Sequence, residues 1–352
     1  MVLEGLAATA TTKNGHRPGP MRAGPMRAGM AVTAVSLLLL MACGDDDDET
    51  ATGATDDSGS AAEEISVTDY TDVEVTLDGP AERVVCLHAA CVDAMAELGI
   101  TPVALPAGTD ADVAAREEYF GDGARDIARL GGDFFEPDLE DIAAAGPDLV
   151  IGAACFHDAL RDALEPIAPL LLLDLGEYTL AVDNLRLIGE TTGREDEAEA
   201  AVENLQAKID AYAEASPGDL VPLDIYPTTE APLIDSTSSQ GGSLLGEVGP
   251  FPWPAFDGDS CLGGGQVTYS LEQVLQVNPD VMFVITNPSG DRSVADFESN
   301  PVWSQLDAVA NGQVYEVDST TWSLGGTRSA GLVLDEAMTL MYPEVFPEPL
   351  DG

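Results

Sequence analysis

Two short stretches hold most of the reactive side chains of this 352-residue chain. CLHAAC carries Cys86, His88 and Cys91, and CFH carries Cys155, Phe156 and His157. Thiolates beside neutral imidazoles form a soft donor set that suits zinc, copper or haem iron. Outside a reducing cytoplasm the same thiols oxidise to disulfides. Cys43 has a separate role, set out below. That leaves Cys86, Cys91, Cys155 and Cys261, an even set with three possible pairings. Their spacing matches no zinc knuckle, so disulfides are the reading adopted and no metal site is assigned. Cys91 with Cys155 is the expected pair, because both fall at the mouths of neighbouring strand loops. A redox role through these thiols stays as a second reading, although CxxxxC is not the CxxC of dithiol oxidoreductases.

Other side chains point to binding rather than reaction. Arg328, in GGTRSAG, is one of few bases, and a guanidinium there could meet a carboxylate or catecholate oxygen of a ligand or bridge to a nearby acid. Trp253, Tyr269, Trp322 and Phe156 offer aromatic walls for a bulky ligand or pack a core. Trp303 reads as packing. His88 and His157 either line a pocket or hold their loops by hydrogen bonds. The chain has no GxSxG elbow, HExxH, Walker loop or GxGxxG placed between strand and helix, so nothing in it marks an enzyme.

These residues need elements to place them, and the pattern supplies an alternation. ISVTDYTDVEVTL reads as a hairpin and RVVCL as a buried strand. CVDAMAELG reads as a helix with Val92, Met95, Ala96 and Leu98 on one face and Gly99 as its stop. DLEDIAAAGPDLVIG and DALRDALEPIAPLLLLDL each give helix then strand. In REDEAEAAVENLQAKIDAYAEA the apolar positions Val202, Leu205, Ile209 and Tyr212 recur at three and four, the stripe of a long amphipathic helix. After it the rhythm resumes through PLDIYP, GGSLLGEVG, SLEQVLQVNPDVMFVIT, NPVWSQLDAVANGQVYEVD and a final helix in GLVLDEAMTLM. Strands separated by helices in this way predict parallel sheets covered on both faces.

The halves repeat one another. Leu139-Glu140, Ile142 and Pro147-Asp148-Leu149 return as Leu271-Glu272, Val274 and Pro279-Asp280-Val281 at a constant offset of 132. A fixed register across this stretch predicts duplication.

The leader and the charge place the chain. Lys13, Arg17, Arg22 and Arg27 precede the apolar run Met30 to Ala42, which is shorter than a spanning helix requires. Leu40-Met41-Ala42-Cys43 resembles a bacterial lipobox, so residues 1–42 read as a signal peptide and Cys43 as a lipidated N-terminus. Residues 43–64 (CGDDDDETATGATDDSGSAAEE) form an acidic, disordered tether. Beyond the leader there are 62 acids against 10 bases, from a full chain at −49. That charge excludes nucleic acid as a partner.

The pieces AERVVCLHAACVDAMAELG, FFEPDLEDIAAAGPDLVIG, GREDEAEAAVENLQAKI, GGSLLGEVG, VTYSLEQVLQVNPDVMFV, NPVWSQLDAVANGQVYEVD and WSLGGTRSAGLVLDE occur in one order over residues 65 to 343. Together they resemble the solute-binding proteins of ABC importers that take up ferric siderophores, haem and cobalamin. The resemblance implies two doubly wound α/β lobes, 65–193 and 217–352, joined by one long rigid helix over 194–216, with a ligand cleft between them. It implies a monomer that binds a metal chelate, works with a permease and its ATPase, catalyses nothing, and carries iron only inside its cargo rather than as a cofactor. Glu140 and Glu272 occupy the positions at which the family docks on its permease. In the cleft the candidate ligand-binding residues are His88, Phe156, His157, Trp253, Tyr269, Trp322 and Arg328. Cysteines in the first cleft loop depart from the family, which more often has serine, proline and alanine there. Siderophore, haem, cobalamin and bare metal all remain open as cargo.

Overall fold

A computed structural model describes residues 64–228, 231–255, 265–286 and 292–350. The leader, Cys43 and the tether as far as residue 63 lie outside the described residues, as does Cys261.

A hairpin opens the described chain. β1 (Ile65–Thr68) pairs antiparallel with β2 (Glu74–Leu77), and alternate residues are buried, as one-sided strands require. The Asp69 carboxylate closes the turn by accepting from the Thr71 and Val73 amides, and it also pairs with Arg161. Its first sheet then follows. β3 (Val84–Cys86), β4 (Ala104–Pro106), β5 (Ala128–Leu130), β6 (Leu149–Ala153) and β7 (Leu170–Leu173) lie in the order β5-β4-β3-β6-β7, all parallel. LVIGA and LLLL are buried at every position, as strands covered on both faces must be.

The second sheet repeats this winding. β8 (Pro222–Tyr226), β9 (Leu233–Asp235), β10 (Gln266–Thr268), β11 (Val281–Thr286) and β12 (Val314–Asp318) lie in the order β10-β9-β8-β11-β12. Here β8, β11 and β12 are parallel, but β9 runs antiparallel to both β8 and β10. The reason is length: residues 227–232 are too few for a crossover, which takes a dozen or more. The second sheet is thus mixed, where the alternation predicts a parallel one.

Duplication survives at the level of single residues. The helices Leu139–Ala145 and Leu271–Val277 start and stop 132 positions apart. Asp138 and Ser270 cap their N-termini through side chains, and Gly146 and Asn278 end them in the same left-handed conformation, both at φ 58°. Each helix then feeds a central strand.

One helix, Glu195–Ala215, connects the halves. Ala198, Val202, Leu205, Ile209 and Tyr212 form its buried stripe, and Glu195, Asp196 and Glu197 sit in its first turn, where the helix dipole favours acids. At 1.5 Å per residue it spans about 32 Å. Near its end Lys208 Nζ and Tyr212 Oη both bond the Asp335 carboxylate, at 2.6 and 2.8 Å, which fixes it to the C-terminal helix Thr327–Met341.

Candidate ligand-binding cleft

Ligands of open α/β sheets bind beyond the carboxyl ends of the strands, here on the side of β3 that carries β4 and β5. A cavity of about 380 Å³ lies there. On one side it is lined by His88 after β3, by Pro106 at the end of β4 with Thr109 and Asp110 beyond it, and by Leu130 at the end of β5 with the loop on to Phe134. Ser319, Thr320, Ser323 and Leu324, after β12, close it from the second lobe.

His88 stands at the centre of the first wall. It is the N-cap of the helix Ala89–Glu97, and its Nδ1 accepts from the Ala90 amide at 3.0 Å. That bond leaves the ring proton on Nε2, so the imidazole offers a donor. Burial, with the nearby His157, holds its pKa down at about 4 and keeps the ring uncharged. Phe156 stacks on it with ring centroids 6.3 Å apart, and Phe134 meets it edge-on at 5.8 Å. Phe135 extends this aromatic cluster and is 53% exposed.

His157 does different work. It is fully buried, Nδ1 accepts from the Ala153 amide and Nε2 donates to the Phe134 carbonyl at 2.9 Å. The residue therefore ties the loop after β6 to the loop after β5 and positions Phe134 without lining the cavity.

The cysteines correct the expected pairing. Cys86 is bonded to Cys91, with Cα atoms 5.5 Å apart, and Cys155 is itself disulfide-bonded. Cys91 with Cys155 is therefore excluded. The strand end and the first turn of the next helix bring Cys86 and Cys91 together locally, which a comparison of separate loop mouths overlooks. The bridge encloses His88 and holds the ends of its segment.

Four further candidates, Trp253, Tyr269, Trp322 and Arg328, are engaged in packing or bridging and do not line the cleft. Trp253 is 1% exposed and its indole donates to the Pro222 carbonyl at 2.9 Å, with Tyr269 edge-on against it in the same second-lobe core. Trp322, also 1% exposed, donates to Glu336 at 2.7 Å and lies against Phe283. Arg328 is a clamp between lobes. It donates to Glu97 at 3.0 Å and to the Glu118 carbonyl at 2.9 Å.

Beside Arg328 runs a second interlobe joint. The Asp93 carboxylate, fully buried, accepts from the amides of Arg328 and Ser329 at 2.9 Å each, and from the Tyr119 hydroxyl. A first-lobe acid thus caps the second lobe's C-terminal helix. Burial raises its pKa to about 6 although these donors pull it down. Gly326 leaves the approach open, since a Cβ there would collide with the Asp93 carboxyl group.

Asp110, Asp133, Thr320 and Ser323 are cleft residues that the motifs do not reveal. Only the position of Asp110 and Asp133 beyond β4 and β5 signals them, and β5 is too short to be read from alternation. Glu140 and Glu272 are both exposed, in the first turns of equivalent helices. No helix among the described residues is long and apolar enough to cross a membrane.

Comparison with known proteins gives a family and a fold. The model of the periplasmic binding protein family matches residues 84–321. The Fe(3+)-citrate-binding protein YfmC of Bacillus subtilis is 27% identical over 320 residues, covering 88% of this chain and 96% of its own. The Fe(3+) dicitrate-binding periplasmic protein FecB of Escherichia coli is 30% identical, covering 70% and 80% respectively. Among solved structures, the petrobactin-binding protein YclQ of B. subtilis superposes with a TM-score of 0.63 at 23% identity, over 79% of this chain and 99% of that one.

Proposed function

The chain belongs to the periplasmic binding protein family, and from that premise we propose that it is the substrate-binding protein of an ABC importer. It captures a ferric siderophore or related iron chelate outside the cytoplasm and hands it to the permease. The observation that carries this reading is the cleft itself: a cavity of about 380 Å³ between duplicated lobes, lined by His88 and Phe134, with Phe156 stacked on His88, and by hydroxyls from the other lobe. A preformed pocket of this size, with polar groups placed among apolar ones, suits a bulky solute, and binding needs no covalent step. The names of YfmC and FecB, both ferric citrate binders, support iron as part of the cargo.

Lipid attachment at Cys43 and the acidic tether would hold the receptor, as a monomer, near its importer. Glu140 and Glu272 are the proposed docking points, one on each lobe and related by the duplication, which suits a two-fold permease. The alternative of a thiol-redox or metal-holding lipoprotein finds less support. Cys86, Cys91 and Cys155 are oxidised, both ring nitrogens of His157 are engaged, and no group of three or more metal-ligating side chains occurs among the described residues.

Native mass spectrometry of protein purified from its own host, with absorbance spectra of the bound material, tests the proposal. An iron-bearing organic adduct released on denaturation is expected. A Soret band would reassign the cargo to haem, and an adduct without metal would overturn the iron reading.

A further inference from the structure

Resting on the reading of this chain as a chelate receptor, we propose that its cargo carries no net negative charge, and that Asp110 selects for it. The chemical class is a neutral or cationic ferric tris-hydroxamate. Three hydroxamates, each singly negative, neutralise Fe(III), and a free amine on the backbone makes the complex cationic. Three catecholates, or a pair of citrates, leave it an anion.

Beyond the leader the chain has ten bases, all in described segments, and none lines the cavity. Every one already has a partner. Arg83 and Arg129 donate to backbone carbonyls. Arg125, Arg161, Arg186, Arg194 and Lys208 pair with carboxylates away from the cleft. Arg328 is the interlobe clamp on Glu97. Arg292, past β11, lies 3.9 Å from Asp296. Arg116 comes nearest, bonding the Thr321 hydroxyl at 2.8 Å and reaching the carbonyl and hydroxyl of cavity-lining Thr320 at 3.4 Å, and Glu118 neutralises it at 2.6 Å. Residues 229–230, 256–264 and 287–291 contain no Lys, Arg or His, so they add no cation wherever they lie.

What the cavity offers instead is negative. Asp110 is 8% exposed and lines the cavity, and among the described residues it has a backbone hydrogen bond but no cation or side-chain partner. An acid so buried without a countercharge is costly, and a donor or cation on the ligand relieves that cost. Asp133 adds a second carboxylate to the lining, while neutral His88 and the Ser319, Thr320 and Ser323 hydroxyls supply uncharged contacts. An anionic chelate would enter against both acids and against a surface of large negative charge, with nothing to compensate. The ferric citrate named for YfmC and FecB is therefore not the cargo expected here.

The test titrates the mature protein, by tryptophan fluorescence and calorimetry, with four complexes: a cationic linear ferric tris-hydroxamate, a neutral cyclic one, ferric dicitrate and a ferric tris-catecholate. Both hydroxamates are expected to bind at least about 100-fold more tightly than either anion, with cationic binding weakened by added salt. Asp110→Asn, checked for folding by circular dichroism, is expected to weaken the cationic complex about tenfold and the neutral one by less than about threefold. Tighter binding of citrate or catecholate overturns the charge assignment and leaves the chelate receptor standing, as would loss of anion binding in Arg116→Gln or Arg292→Gln. Failure of all four to bind overturns the receptor reading and this inference together.

Discussion

Asp93→Asn separates two opposed forces on one buried carboxyl. Desolvation favours its protonated form, while the amides of Arg328 and Ser329 and the Tyr119 hydroxyl favour the carboxylate. Burial wins, with a folded pKa of about 6 against 3.8 in the free side chain. An acid with a raised folded pKa binds more protons folded than unfolded between those values, so its contribution grows as pH falls through 6. From pH 7 to pH 5 this amounts to about 1.3 kcal/mol in the wild type and nothing in the variant. Asparagine also turns an NH₂ group toward donors, a cost of about 1–3 kcal/mol at either pH. Urea unfolding of both proteins, followed by tryptophan fluorescence, isolates the difference, because the histidines and other acids cancel. The variant's deficit is expected to be larger at pH 5 by about 1.3 kcal/mol. A deficit that shrinks on acidification would show that the three hydrogen bonds, not burial, govern Asp93.

Other outcomes follow from the same contacts. Gly326→Ala should lower stability by roughly 1–3 kcal/mol in thermal unfolding, since its methyl meets the Asp93 carboxyl, and wild-type stability would contradict that packing. Replacing Cys86 and Cys91 with serine opens a loop with a sequence separation of 5 and should cost about 2 kcal/mol in urea. Because the bridge encloses His88, chelate affinity should fall as well, and an unchanged Kd would make the bridge purely structural. Glu140→Arg with Glu272→Arg should abolish importer-stimulated uptake while leaving chelate affinity within about twofold, and uptake at the wild-type rate would remove the docking assignment.

Long-period features of this molecule could be read before any coordinates. The stripe Val202, Leu205, Ile209 and Tyr212 is buried in the connecting helix, and the 132-residue offset holds at caps and stops as well as in apolar positions. Gly99 ends its helix at φ 67°, as its place in the pattern predicts. Short elements were hidden, because the three-residue strands β5, β9 and β10 contain too little alternation to mark them. The site was legible only in part. His88 lines the cavity and Phe156 stacks against it, both following from strand ends, but Trp253, Trp322 and Arg328 face partners supplied by remote segments: Pro222, Glu336 and Glu97. Sequence gives no distance between such segments, so a rare, large or charged residue looks available until its partner is seen.

The fixed span between the lobes has a consequence for delivery. With Lys208 and Tyr212 bound to Asp335, and Asp93 and Arg328 bridging from the other side, little free energy is stored in opening and closing. Cargo residence time then depends on contacts within the groove. For a receptor built this way, unloading falls to the transporter it serves, which must work against two blocks tied by these contacts.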